Sequence, residues 1–243
     1  MKIIESVRDA MQGVEEFIPT QKKIEYINLL LKVGFDVIDF SSFVSKRQIP
    51  QLADAAEVLD GLDASESKTK LLALVGSKKG SEIASQFEKI DYIAYPFSVS
   101  ETFLKYNLNS DFIKSVETIE YISKLCEKIG KELILYFAMA FGNPYHDKWN
   151  VDLVFEWIEK FRKLGIKQIS FSDPAAVADA ENIALLFSRV KKEYSEVEID
   201  FGVHLHSEPD NWFEKVDAAY QNGCRRFDAV INGFGGCPIA KKD

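Results

Sequence analysis

Cysteine is scarce in this chain. Three occur in 243 residues, Cys126, Cys224 and Cys237, an odd number with no framework spacing. That argues against a disulfide-stapled secreted domain and points to a reducing compartment, the cytoplasm by default. No apolar run approaches the roughly eighteen residues of a membrane span. The opening Met1-Lys2-Ile3-Ile4-Glu5-Ser6 lacks the long apolar stretch of a signal peptide. Positive charge is also short: thirty Lys and Arg against thirty-eight Asp and Glu give a net charge of −8. Nucleic acid and anionic membrane are therefore not expected as partners, and a phosphate-bearing ligand would need a local basic patch. Pro/Ser-rich linkers and low-complexity breaks are missing, and no Gly-rich phosphate loop follows the first predicted strand.

What is present is an ordinary globular composition, 47% hydrophobic and 28% charged. Short β-branched and aromatic runs alternate with amphipathic stretches throughout, which argues for a parallel sheet. Strands are expected near Lys2–Glu5, Val37–Ser41, Leu71–Val75, Tyr92–Pro96, Leu133–Ala138, Gln168–Ser172, Glu198–His206 and Arg226–Val230. Between them, Thr20 can cap a helix whose Ile24, Ile27 and Leu31 share one face and which Gly34 follows. The stretches Asn109–Ile129, Val151–Leu164, Asp179–Tyr194 and Trp212–Asn222 read as helices too. Eight βα units of about thirty residues each favour a closed (β/α)8 TIM barrel over an open doubly-wound sheet. A single catalytic domain over residues 1–243 is expected, with the chain stopping just after strand 8 and lacking the last helix.

In a barrel the chemistry sits at the C-terminal strand ends. Arg8 and Asp9 are expected to end the first strand, with Gln12 one turn on; alone, an Arg-Asp pair also suits solvent. Asp39 interrupts the apolar run Val37-Ile38 and should share the face of Val37 and Ser41. A carboxylate buried there must be paired or hold a metal. His204-Leu205-His206 puts two imidazoles on one side of a strand, either as hydrogen-bonded histidines of a polar strand end or, with a carboxylate such as Asp9, as ligands of a divalent first-row metal or Mg2+. Asp173, in phase with Ile169 and Phe171, should point into the barrel mouth, or else act as a helix cap before Pro174. His146 has no comparable partner and reads as exposed. Cys237 follows Gly233-Phe234-Gly235-Gly236, a loop able to swing a thiol over a substrate, whereas Cys126 and Cys224 fall on helical segments and read as core.

Three longer segments carry a resemblance: Arg8-Asp9 through Gln12, Ser42-Phe43-Val44-Ser45 through Pro50-Gln51-Leu52-Ala53-Asp54, and Gly235-Gly236-Cys237-Pro238. Together with Asn107-Leu108-Asn109 and Gly142-Asn143-Pro144-Tyr145, they resemble the 3-hydroxy-3-methylglutaryl-CoA lyases of the DRE-TIM metallolyase superfamily along essentially the whole chain. The resemblance implies cleavage of an acyl-CoA substrate to acetyl-CoA and acetoacetate, as in leucine breakdown or ketone-body formation. It also implies a divalent cation, Mg2+ or Mn2+, on Asp9, His204 and His206. Arg8 would stabilise the enolate and Cys237 would protonate it, while Asp39, Asp173 and His204 are the candidate bases. Gln12, Ser42 and Asn107 would bind substrate, and Lys46 and Arg47 would meet the coenzyme A phosphates. A homodimer is compatible with this family. Asp39 stands where the family pattern has Glu, Ser207-Glu208-Pro209 replaces Asp-Thr after His206, and the family's Asn ligand would lie a few residues beyond Ala240. Two other readings stay open: another superfamily aldolase or Claisen-type enzyme, and a non-catalytic barrel that binds CoA esters.

Overall fold

The structure, a computed structural model, describes residues 1–196 and 199–235. Its strands are β1 (Lys2–Glu5), β2 (Val37–Ser42), β3 (Lys70–Leu74), β4 (Tyr92–Ser98), β5 (Glu132–Ala138), β6 (Gln168–Asp173), β7 (Asp200–Leu205) and β8 (Arg226–Ala229). They pair in parallel in sequence order, and β1 pairs with β8 to close the barrel. Glu198, expected to open the seventh strand, lies outside the described residues.

The helices are α1 (Val7–Gln12), α2 (Thr20–Leu30), α3 (Ala55–Asp60), α4 (Lys78–Ser85), α5 (Glu101–Leu108), α6 (Phe112–Ile129), α7 (Val151–Lys163), α8 (Ala180–Tyr194) and α9 (Trp212–Gln221). Local chemistry sets their ends. Ser77, Ser100, Asp111, Asn150 and Asp179 each accept a backbone N–H of the first turn. Two expectations need correction. Thr20 does not cap α2; Pro19 precedes the helix and the Thr20 hydroxyl donates to Asp54 at 2.7 Å. Asn109 does not start a helix: it ends α5 in the left-handed region at φ 49, a conformation Asn tolerates better than most residues, and Asp111 then begins α6. Among the described residues no helix is long and apolar enough to cross a membrane.

The core has two layers. Outside the strands, Phe97, Phe137, Phe161 and Trp157 pack ring against ring beneath α6 and α7. Inside the barrel a smaller apolar cluster joins Ile4, Val37, Leu72, Ala94, Ile134 and Tyr136, all from β1 to β5. The β6–β8 side is polar instead. Gly202 is required there, because a Cβ would lie 2.3 Å from Nε of the buried Arg226.

One ion pair ties α2 to the segment that leads into α3. Lys23 on α2 is 2% exposed and donates to both oxygens of Asp54, at 2.8 and 3.0 Å, and to the Gln51 carbonyl. Removing one partner of such a pair strands a buried charge. Asp54→Ala should therefore cost about 3–5 kcal/mol in urea unfolding, and Lys23→Met with Asp54→Leu should recover most of it. A single variant as stable as wild type would contradict this.

Candidate metal and substrate site

The β1 chain turns directly into α1, so Arg8 and Asp9 stand one short turn beyond the strand rather than ending it. Both are buried. Nε and Nη2 of Arg8 donate to Asp39 Oδ2 at 2.9 and 2.7 Å, and Nη1 donates to Asp9 Oδ1 at 2.8 Å and Gln12 Oε1 at 3.2 Å. Gln12 in turn donates to Asp9. The buried Asp39 carboxylate is thus paired, while its Oδ1 has no hydrogen-bond partner among the described residues. Burial pushes the Asp39 carboxyl up and Arg8 pulls it back without cancelling the rise. Burial also opposes charge on Arg8, but the two carboxylates outweigh it and keep the guanidinium protonated.

Asp39 shares the inner phase of Val37, but Ser41 does not follow. The β2–β3 register slips between Asp39 and Ser41, so Ser41 pairs with Ala73 and Ser42 with Leu74. This one-residue bulge puts Ser42 where simple alternation would put Ser41. The Ser42 hydroxyl is buried without a hydrogen-bond partner among the described residues.

Asp9 Oδ2 lies 3.5 Å from Nε2 of His204 and 3.5 Å from Nε2 of His206. The three ligand atoms fall within 4.8 Å of one another. One carboxylate oxygen and two imidazole nitrogens suit a divalent cation, with coordination positions to spare. Burial works against the Asp9 carboxylate, yet Arg8 and both histidines hold it well below the usual carboxylate range. Burial works against the His204 imidazolium as well, but Asp228 and Asp9 outweigh it and push its pKa up to about 10. Burial and the neighbouring charge of His204 push His206 down to about 4.

These groups border a cavity of about 420 Å3, lined by Arg8, Asp9, Gln12, Asn107, His204 and His206 among others. Ser45 and Gln48 line it too, while Lys46 and Arg47 between them are exposed. Ser42 is not among the lining residues. His146 is exposed, at φ 60. Cys126 and Cys224 are buried, with burial pushing their thiols up to about 11 and about 12. Cys237 lies outside the described residues.

Asp173 does not point into the mouth. Its phase partner Phe171 packs outward against Phe187 of α8, and the Asp173 carboxylate accepts the backbone N–H groups of Val177 and Ala178, both at 2.9 Å. Its Oδ2 lies 3.7 Å from Nζ of the buried Lys215. It caps no helix either, since α8 begins at Ala180 with Asp179 as its cap; Asp173 closes a turn instead, and burial raises its pKa to about 6.

The chain matches the HMGL-like family over residues 2–238. It belongs to that family. Relatives of this HMGL-like chain include the cytoplasmic 3-hydroxy-3-methylglutaryl-CoA lyase of Danio rerio, 30% identical over 99% of this chain and 71% of the relative. The hydroxymethylglutaryl-CoA lyase of Bacillus subtilis is 28% identical, over 96% and 77%. A solved HMG-CoA lyase of A. baumannii, in complex with coenzyme A and 3-methylmalate, is 30% identical with a TM-score of 0.90, over 98% of this chain and 77% of that one. The carboxyl transferase domain of Rhizobium etli pyruvate carboxylase, at 14% identity and a TM-score of 0.73, shares the fold alone.

Three residues of this HMGL-like site escaped the sequence reading. Tyr136 lines the cavity and meets the His204 ring edge to face, with centroids 5.5 Å apart. Burial and the carboxylates of Asp228 and Asp39 keep its hydroxyl protonated. Lys215 of α9 donates to the His206 carbonyl at 3.2 Å. Asp228, on β8, lies 3.2 Å from His204 Nδ1. An acidic residue inside a short strand was the available signal for Asp228; Tyr136, within the run Leu133–Ala138, and Lys215, within Trp212–Asn222, carry no signal of that kind.

In chelator-treated protein, NMR titration should find His204 doubly protonated at pH 8 and His206 neutral. The sign follows from the shifts. The stability that His204 contributes is complete below about 6.5 and fades as pH rises through about 10, whereas that of His206 is present above about 6.5 and fades toward about 4. Two histidines titrating together near 6.5 would contradict the arrangement.

Proposed function

We infer that this chain is a hydroxymethylglutaryl-CoA lyase, cleaving 3-hydroxy-3-methylglutaryl-CoA into acetyl-CoA and acetoacetate. The observation that carries the reading is Asp9, His204 and His206 converging beside Arg8 at the mouth of the barrel. The substrate's C2–C3 bond breaks as its 3-hydroxyl loses a proton and becomes the ketone of acetoacetate. The bond electrons pass to the thioester enolate, which then takes up a proton at C2. A divalent cation on those three ligands, Mg2+ or Mn2+, would acidify the 3-hydroxyl.

The chain's own residues supply the rest. Arg8 offers permanent positive charge where the enolate develops, and Asp39 holds its guanidinium on two nitrogens, which gives Asp39 a positioning task. Gln12 and Asn107 offer amides to the substrate from the cavity wall. Asp173 is committed to backbone N–H groups, so of the three candidate bases only His204 borders the cavity. Its Nε2 has a single lone pair for an ion or a proton, and its position beside Asp9 and His206 favours the ion. Cys237 fits the task of protonating the enolate, because a thiol near neutral pH is a far stronger acid than a hydroxyl. Lys46 and Arg47, next to the lining residues Ser45 and Gln48, suit the coenzyme A phosphates. The cytoplasm is proposed as the compartment from cysteine usage.

The test is acetoacetate release from 3-hydroxy-3-methylglutaryl-CoA with Mg2+ or Mn2+ added, and again after exhaustive chelation. Turnover should require the cation. Failure to cleave this substrate, with products formed from another acyl-CoA of a small panel, would move the assignment elsewhere in the superfamily. Cys237→Ser should lower kcat by several orders of magnitude. Wild-type kcat in that variant would remove the thiol from the mechanism.

A further inference from the structure

His204 has a second carboxylate behind it. Its Nε2 faces Asp9, while its Nδ1 lies 3.2 Å from Asp228 Oδ2 on the neighbouring strand, where backbone pairing sets His204 directly opposite Asp228. The Asp228 side chain has no solvent exposure. Among the described residues its only ion-pair partner is His204; Ser170 Oγ lies at a long 3.4 Å, and the buried Tyr136 hydroxyl also faces it. A carboxylate is costly to bury unless paired, so so specific a placement on one ring nitrogen calls for an account.

We propose that Asp228 is a positioning residue for the metal site: by accepting the Nδ1–H of His204 it fixes the tautomer whose Nε2 lone pair faces the point shared with Asp9 and His206. This rests on reading those three residues as ligands. A neutral imidazole carries its proton on either nitrogen, and only the Nδ1–H form can ligate through Nε2. The carboxylate selects that form, and the Tyr136 ring set edge to face against the imidazole limits its rotation. Such outer partners of metal-bound histidines are typically worth about 10–100-fold in metal affinity.

The test is Mn2+ binding to the full chain, followed by the electron paramagnetic resonance signal of the free ion. Asp228→Asn, nearly equal in volume, should weaken binding about 10–100-fold. Ser170→Ala, at the same carboxylate, should stay within about 2-fold, being only a long hydrogen bond. Equal affinity in Asp228→Asn and wild type would overturn the proposal and leave the metal reading standing. A wild type that binds no Mn2+ would overturn that reading and this inference with it. Should Asp228→Asn fail to fold, nitrogen-15 shifts of His204 in Mg2+-loaded wild type decide: a proton on Nδ1 supports the proposal, and a proton on Nε2 overturns it.

Discussion

A guanidinium buried between carboxylates organises the upper end of this barrel. Arg8 binds Asp39 through two nitrogens and Asp9 through a third, with all three side chains almost fully withdrawn from water. Taking a charge out of water costs several kcal/mol, and only good geometry repays it. The group therefore stands or falls together. From Asp9 the polar contacts run on to His204 and His206, and from His204 to Asp228. The order of units so connected, β2 to β1 to β7 to β8, crosses the seam where the barrel closes.

The interior of the barrel divides accordingly. Strands β1 to β5 fill it with Ile4, Val37, Leu72, Ala94, Ile134 and Tyr136, while Ser170, Gly202, His204, Arg226 and Asp228 come from β6 to β8. An apolar wall on one side strengthens the electrostatics on the other, since fewer water dipoles answer the charges. This accounts for two histidines only two residues apart having opposite shifts. His204 lies between two carboxylates, and His206 has one carboxylate and a charged neighbour.

The strand order and the Asp9-His204-His206 convergence were legible because each rests on period. Eight apolar runs alternate with amphipathic ones, and a His-x-His on a strand has one geometric outcome. Asp39 was legible as an exception within an apolar run. Asp228 is the same kind of exception, hidden because Arg226-Phe227-Asp228 is too short to display an alternation. Asp173 misled for a different reason. Barrel strands are apolar on both faces, so being in phase with Phe171 leaves inside and outside undistinguished. No residue type announces the β2 bulge that exchanges Ser41 for Ser42, and Asn109 looked like a helix start until its positive φ made it a helix end.

The candidate ligands come from opposite ends of the chain, Asp9 from the first βα unit and His204 and His206 from the seventh. Closing so long a loop costs configurational entropy before any contact repays it, and the β1–β8 seam can pair only after the whole sheet has curled round. A cation gripped by all three ligands would act as a clasp on a ring, bridging residues nearly two hundred positions apart. An open or half-formed barrel offers it only the two histidines. Occupancy of the clasp would thus be thermodynamically linked to closure, so the ion needed for the chemistry would also favour the closed ring over its unfastened precursors.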